Sequence, residues 1–235
     1  SPEVAYEERK IMPIYLDVGG EEVDLAAVAG AGDAALVKKG FAVVKRAFVQ
    51  FYREKGRHPS SEEVEEIVGR IERRLVNLYS FLKWRGVDAF AEHIVATVSR
   101  EGEPHLYLCR GMCQPMHHSP GFAVLGIAEQ SALVLLRLLG WEPGASWSPE
   151  LLAAFIIDTV AEVVPTVSPL MSFRDTLYIR MQEGRVVMGP LREEAFEEAK
   201  RRALARRRLF KELWALLESG VGEEEVLKAL ERLRP

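Results

Sequence analysis

His105, Cys109, Cys113 and His117 recur at intervals of four residues, and His118 follows directly. Thiolates and imidazoles are the donors zinc takes most readily, four of them in a tetrahedron at about 2.0–2.3 Å. Spread along one straight helix these positions would span about 18 Å at about 1.5 Å per residue, too far to share an ion. The stretch 109–121, CRGMCQPMHHSPG, holds two prolines and two glycines and so can fold back on itself. The spacing therefore makes His105, Cys109, Cys113, His117 and His118 candidate ligands for zinc. The same residues suit other chemistry as well: a short disulfide between the cysteines, or buried thiols serving as small apolar side chains.

Carboxylates on apolar helices are the second signal. Asp158 and Glu162 stand four residues apart in Leu151–Val164, on one helix face, where like charges repel unless a ligand, proton or cation intervenes. Glu129 is similarly placed in the apolar run before it. Convergence of all three with His117 or His118 would build the site of a metal-dependent enzyme. Neutralisation by Arg137 and Arg174, or exposure as a narrow solvent-facing stripe, accounts for them without one. The chain has no nucleophile elbow, phosphate-cradling glycine loop or dinucleotide fingerprint, and Gly30-x-Gly32 lacks the third glycine.

The third signal is cationic. With Ile71, Leu75, Leu78 and Leu82 turned to a core, Arg70, Arg73, Arg74 and Asn77 fall on the opposite face. Arginine can pair bidentately with guanine, and asparagine with adenine, in a major groove. Residues 38–58 add seven Lys and Arg, Lys45 and Arg46 among them, against one Glu. Such a run can hold phosphates.

The segment 48–87 carries Gly56-Arg57-His58-Pro59-Ser60, an acidic stretch Glu62–Val68, then Gly69 and a third stretch 72–85; the β-rich Ile94–Cys109 follows. In that order these residues resemble winged helix-turn-helix domains such as those of LexA-type repressors. The resemblance covers under a third of the chain. It implies a turn at Gly69, a recognition helix over 72–85, a wing at Ile94–Cys109 and DNA as the ligand. The apolar stripe from Val64 to Leu82 also keeps its period through Gly69, as one continuous helix of a helical hairpin would.

The elements that must position these residues follow from periodicity and punctuation. Residues 11–28 alternate around Gly19-Gly20 and predict a hairpin. Helical spacing predicts helices over 34–55, ended by Gly56, and from Ser60 or Ser61 to Gly86, with Glu62 and Glu63 in the first turn. Ile94–Arg100 and His105–Cys109 form a second hairpin, and 109–121 a loop. Helices over 121–139 and 149–164 come next, the latter capped by Ser148. A third hairpin turns at Glu183-Gly184, and helices over 191–218 and 223–233 finish the chain. Helices mixed with antiparallel hairpins, without a βαβ rhythm, predict an α+β fold, mainly helical. The expected division is 1–33 as an N-terminal arm, 34–109 as a helical or winged-helix-like domain, and 110–235 as the remainder.

Composition bounds the reading. The chain has 235 residues, 48% of them apolar and 28% charged, with a net charge of −4. That excludes a disordered chain or a wholesale polycation. Arg outnumbers Lys 22 to 9, Glu outnumbers Asp 29 to 6, and Asn77 is the single asparagine, a bias that points to a thermophilic source. Two cysteines are too few for a secreted disulfide framework, and no leader or membrane span is evident, so the expected location is the cytoplasm. The basic stripe Lys200–Arg202 and Arg206–Arg208 is offset by Glu197 and Glu198 one turn away. Leu209, Phe210, Leu213 and Trp214 give the same helix apolar surface for the body of the protein or a second subunit. The leading expectation is a nucleic-acid-binding protein, in the manner of a transcriptional regulator. A metal-dependent enzyme and a non-catalytic subunit of a larger assembly are the alternatives.

Overall fold

The computed structural model describes residues 10–88, 90–110, 116–117, 121–141, 148–167, 169, 173–220 and 222–232. The fold is α+β, with helices and antiparallel sheets. The chain divides into two compact units, Ser1–Gly144 with Ser172–Leu191, and Ala145–Met171 with Arg192–Pro235. The expected boundaries at 33 and 109 fall inside the first of these.

In the first unit a five-stranded antiparallel meander runs β1 (Ile11–Val18), β2 (Glu21–Gly32), β3 (Ala91–Val98), β4 (Pro104–Cys109) and β5 (Met116–His117). Gly19 and Gly20, with φ of 64° and 91°, make the tight β1–β2 turn that only glycine enters without strain. Between β2 and β3 the chain inserts α1 (Ala34–Lys55) and α2 (Ser61–Trp84). Their buried stripes, Phe41, Val44, Phe48 and Phe51 on α1 and Val64, Ile67, Val68, Ile71 and Leu75 on α2, join Val28, Val95, Tyr107 and Cys109 of the sheet in one core. The N-terminal hairpin, expected as a separate arm, is thus part of the sheet that carries the helices. Also in this unit are α3 (Glu129–Leu138) and the hairpin β6 (Tyr178–Gln182) and β7 (Arg185–Gly189), whose Met188 N donates to Asp24 Oδ2 at 2.8 Å. Helix α3 is shorter than expected; Gly121 and Gly126, at φ of 79° and 89°, hold the chain before it out of helix.

The turn expected at Gly69 is not made: Ser61–Trp84 is one helix. Ser60 caps it through a reciprocal capping box with Glu63. Burying five aliphatic side chains across the glycine is worth about 1.5–3 kcal/mol each, against about 1 kcal/mol for glycine within a helix. Nor do β3 and β4 form an edge wing, since they lie between β2 and β5 inside the sheet. A Cβ added at Gly69 meets nothing within 4 Å. Gly69→Ala is therefore expected to stabilise the protein by about 1 kcal/mol, read from the denaturant midpoint of the far-ultraviolet circular dichroism signal. A recognition turn at that position would give the opposite sign.

The second unit contains α4 (Pro149–Val163), α5 (Glu193–Glu218) and α6 (Glu223–Arg232). Helix α4 packs on α5, with Phe155 and Phe210 rings 5.9 Å apart. Leu209, Trp214 and Leu216 of α5 are exposed. Among the described residues no helix is long and apolar enough to cross a membrane.

Candidate nucleic-acid interface

Helices α1 and α2 are joined by residues 56–60 and run antiparallel, so the start of α1 and the end of α2 lie over the same end of the sheet. The packing beneath them fixes this register. Val37 and Gly40 of α1 sit on His93 of β3, while Glu72 of α2 bears on Cys109, the cross-strand partner of His93, and Tyr79 donates to Ala91 O at 2.9 Å. At the opposite end the β3–β4 turn docks on the start of α2. Arg100 N donates to Pro59 O at 2.9 Å, Ser61 N to Glu101 Oε2 at 3.2 Å, and Ser61 Oγ to Glu103 Oε2 at 2.5 Å.

This arrangement sorts charge along the helix pair. Residues 33–53 and 67–88, the helix pair outside its closed end, contain ten Lys and Arg and three carboxylates: the buried Glu72, and Asp33 and Asp88 at the open end. Residues 54–66, the closed end, contain five Glu against two cations, and Glu101 and Glu103 lie beside them. Arg57 is consumed there by a bidentate pair with Glu63, at 2.6 and 2.8 Å, which holds that carboxylate down at about 2. A cleft of about 620 Å³ beside Gly69, lined by Glu62, Glu66, Arg70, Arg73 and Tyr107, lies where the charge changes sign.

The expected nucleic-acid residues all belong to the basic end. Lys45, Arg46, Arg73, Arg74 and Asn77 are exposed and Arg70 is half-buried. Among the described residues no carboxylate lies within ion-pair distance of Arg46, Arg73 or Arg74. Lys45 instead stands over the Tyr15 ring, 5.9 Å from its centroid. Sequence reasoning missed two members of this surface. Phe81 and Trp84 are 56% and 77% exposed, and Arg85 lies over the Trp84 ring. The signal for Trp84 was legible in the period: 73, 77, 80 and 84 advance by four, three and four, on the face opposite the core stripe.

Of the sulfur–imidazole set, His105 and Cys109 are the two whose side chains the structure describes. His105 and Cys109 share one face of β4 but lie about 13 Å apart at about 3.3 Å per residue, too far for one tetrahedral ion to take both. His105 Nε2 is 3.0 Å from Ser61 Oγ, whose proton goes to Glu103, so the imidazole is the donor. Cys109 is fully buried, its thiol pushed well above the ordinary range by desolvation and then by Glu72. His117 lies in β5 opposite Tyr107, while Cys113 and His118 lie outside the described residues. No three His, Cys, Asp or Glu side chains among the described residues form a metal-holding group.

Two of the carboxylates expected for an enzyme, Glu129 and Glu162, are held by cations other than those anticipated. Glu129 Oε1 accepts from Arg110 at 2.6 Å. In the second unit Glu162 pairs with Arg207 at 2.9 Å and Lys211 at 3.7 Å, and Arg207 also donates to the Asp158 carbonyl. Arg207, one of the basic-stripe residues of α5, is therefore an internal strut. Gly30-x-Gly32 has a packing role. A Cβ at Gly30 would fall 2.6 Å from Val37 Cγ1, and Gly32, at φ of 110°, would place one 2.4 Å from Phe90 O.

No family model matches the chain, and no curated protein matches it.

Proposed function

We propose that the protein binds nucleic acid through the exposed outer face of the open end of the α1–α2 pair. One observation carries the reading. On a chain of net charge −4, the helix pair outside its closed end carries ten cations against Asp33, Asp88 and the buried Glu72, while residues 54–66 carry five Glu against two cations. Uncompensated surface cations repel one another, and a polyanion relieves that repulsion by displacing its own counterions. The acidic closed end repels the same polymer, which orients it across Lys45, Arg46, Arg70, Arg73 and Arg74.

The mode differs from an inserted recognition helix. α2 lies flat on the sheet with α1 alongside at an interaxial distance of about 8–10 Å, so the pair is too broad for a major groove about 12 Å wide. The surface suits tracking along phosphates.

Fluorescence anisotropy of labelled 30-nucleotide DNA, titrated between 50 and 200 mM salt, tests this. Affinity is expected to fall steeply and log-linearly with salt, and Arg73→Ala with Arg74→Ala to lower the slope by about one for each phosphate no longer neutralised. Binding that ignores both salt and the double substitution would end the reading.

A further inference from the structure

We infer that the nucleic acid taken by this face is single-stranded, and that Trp84 and Phe81 are the rings on which its bases stack. The inference rests on the binding proposed above and specifies its ligand. Arg70, Arg73, Asn77, Ser80, Phe81 and Trp84 lie on one face of α2, spread over about 21 Å at about 1.5 Å per residue. Cations occupy the first part of that stripe and aromatic rings the last, with the amide of Asn77 and the hydroxyl of Ser80 between them.

Both rings face solvent. Trp84 is 77% and Phe81 56% exposed, their centroids are 6.3 Å apart, and the planes are tilted by 38°. Neither ring belongs to the core beneath the helix, which ends on this element with Leu75 and the partly buried Tyr79. Exposed rings, with the Arg85 guanidinium over one of them, match a polymer that presents phosphates and flat faces together. Bases in a duplex are already stacked on one another and offer their faces to nothing outside. Unpaired bases offer them freely, and stacking on aromatic side chains tolerates every base.

The intact chain is titrated with fluorescein-labelled 20-nucleotide oligo(dT) and with a 20-base-pair duplex, in parent, Trp84→Ala and Trp84→Phe forms, after circular dichroism confirms an unchanged fold. The single strand is expected to bind about tenfold more tightly than the duplex. Trp84→Ala is expected to weaken the single strand about tenfold and leave the duplex unchanged, and Trp84→Phe to recover most of the loss. Equal binding of strand and duplex, untouched by Trp84→Ala, would overturn this inference and leave the phosphate reading standing. Binding of neither would remove both. Two controls assign the rings elsewhere and would also overturn the inference if oligonucleotide binding survived: loss of association with phosphatidylglycerol vesicles, or conversion of a dimer to a monomer in sedimentation, on Trp84→Ala.

Discussion

Gly40→Ala is expected to destabilise the first unit by about 3 kcal/mol, although alanine is the better helix former by about 1 kcal/mol. Gly40 is buried in α1, and a Cβ built on it would lie 2.0 Å from His93 Nε2, 2.2 Å from Cε1 and 2.7 Å from Cδ2. The imidazole has nowhere to retreat. His93 is fully buried on β3, its Nε2 is 3.3 Å from Val37 O, and its ring meets Phe41 edge-on with centroids 6.0 Å apart. The helix must lift off the sheet or the ring must leave its rotamer, and either course disturbs the core at the end where the basic side chains gather. Urea unfolding of parent and variant measures the loss. In the double variant with His93→Ala the clash disappears, so the combined cost should be much less than the sum of the two single costs. Gly69→Ala, the same change on the opposite side of the layer, carries the opposite expected sign because nothing lies against it.

Arg110→Met is expected to cost about 3 kcal/mol at pH 7 and to recover much of that near pH 5. Arg110 sits between two carboxylates, its Nε 2.8 Å from Glu92 Oε1 in an ion pair with the N–H aimed aside, and its Nη2 hydrogen-bonded to Glu129 at 2.6 Å. Glu92 is nearly buried, and desolvation raises its carboxyl above the ordinary range even with Arg110 opposing that shift and Glu129 adding to it. Removing the guanidinium strands two partly buried anions beside each other, a change of the kind that costs about 3–5 kcal/mol. The pH dependence follows from the sign. With its folded value raised above the unfolded one, Glu92 takes up a proton in the folded state first, so stability rises as pH falls through the folded value and is lost as pH rises through it. Subtracting the parent's unfolding free energy at each pH removes the opposite contribution of His93. Burial holds that ring neutral, and it favours the unfolded state as pH falls below the ordinary imidazole range. A variant penalty that is the same at pH 5 and pH 7 would show that Glu92 is not the group left stranded.

Both substitutions act through groups that the sequence presents without their neighbours. His93 and Gly40 are 53 residues apart and carry no shared pattern. Glu92, Arg110 and Glu129 come from a strand, a loop and a helix. Likewise the acids of α4 were readable as unusual, but the arginine that neutralises Glu162 lies 45 residues further along, inside a run that looked like nucleic-acid-binding charge.

Local chemistry was legible in the residues themselves. The 3.6-residue period of Leu36 to Phe51 and of Val64 to Leu82, the Ser60 cap, the stop at Gly56 and the glycine pair at 19–20 specify their elements because each acts within a few residues. The α+β class and the identity of the exposed cations follow from the same short-range rules. Pairing at long range decided the rest. Whether Gly69 bends the chain depends on the sheet beneath it, which buries Val68 and Ile71 on either side and holds the helix straight. Whether His105 and Cys109 meet depends on the strand that extends them away from each other. The cations of α1 and of α2 come onto one helix pair only because residues 56–60 reverse the chain and lay α1 against α2. Periodicity reports which way a side chain faces on its own element, whereas electrostatics depends on distance through space, and that distance is set by the packing of one element on another.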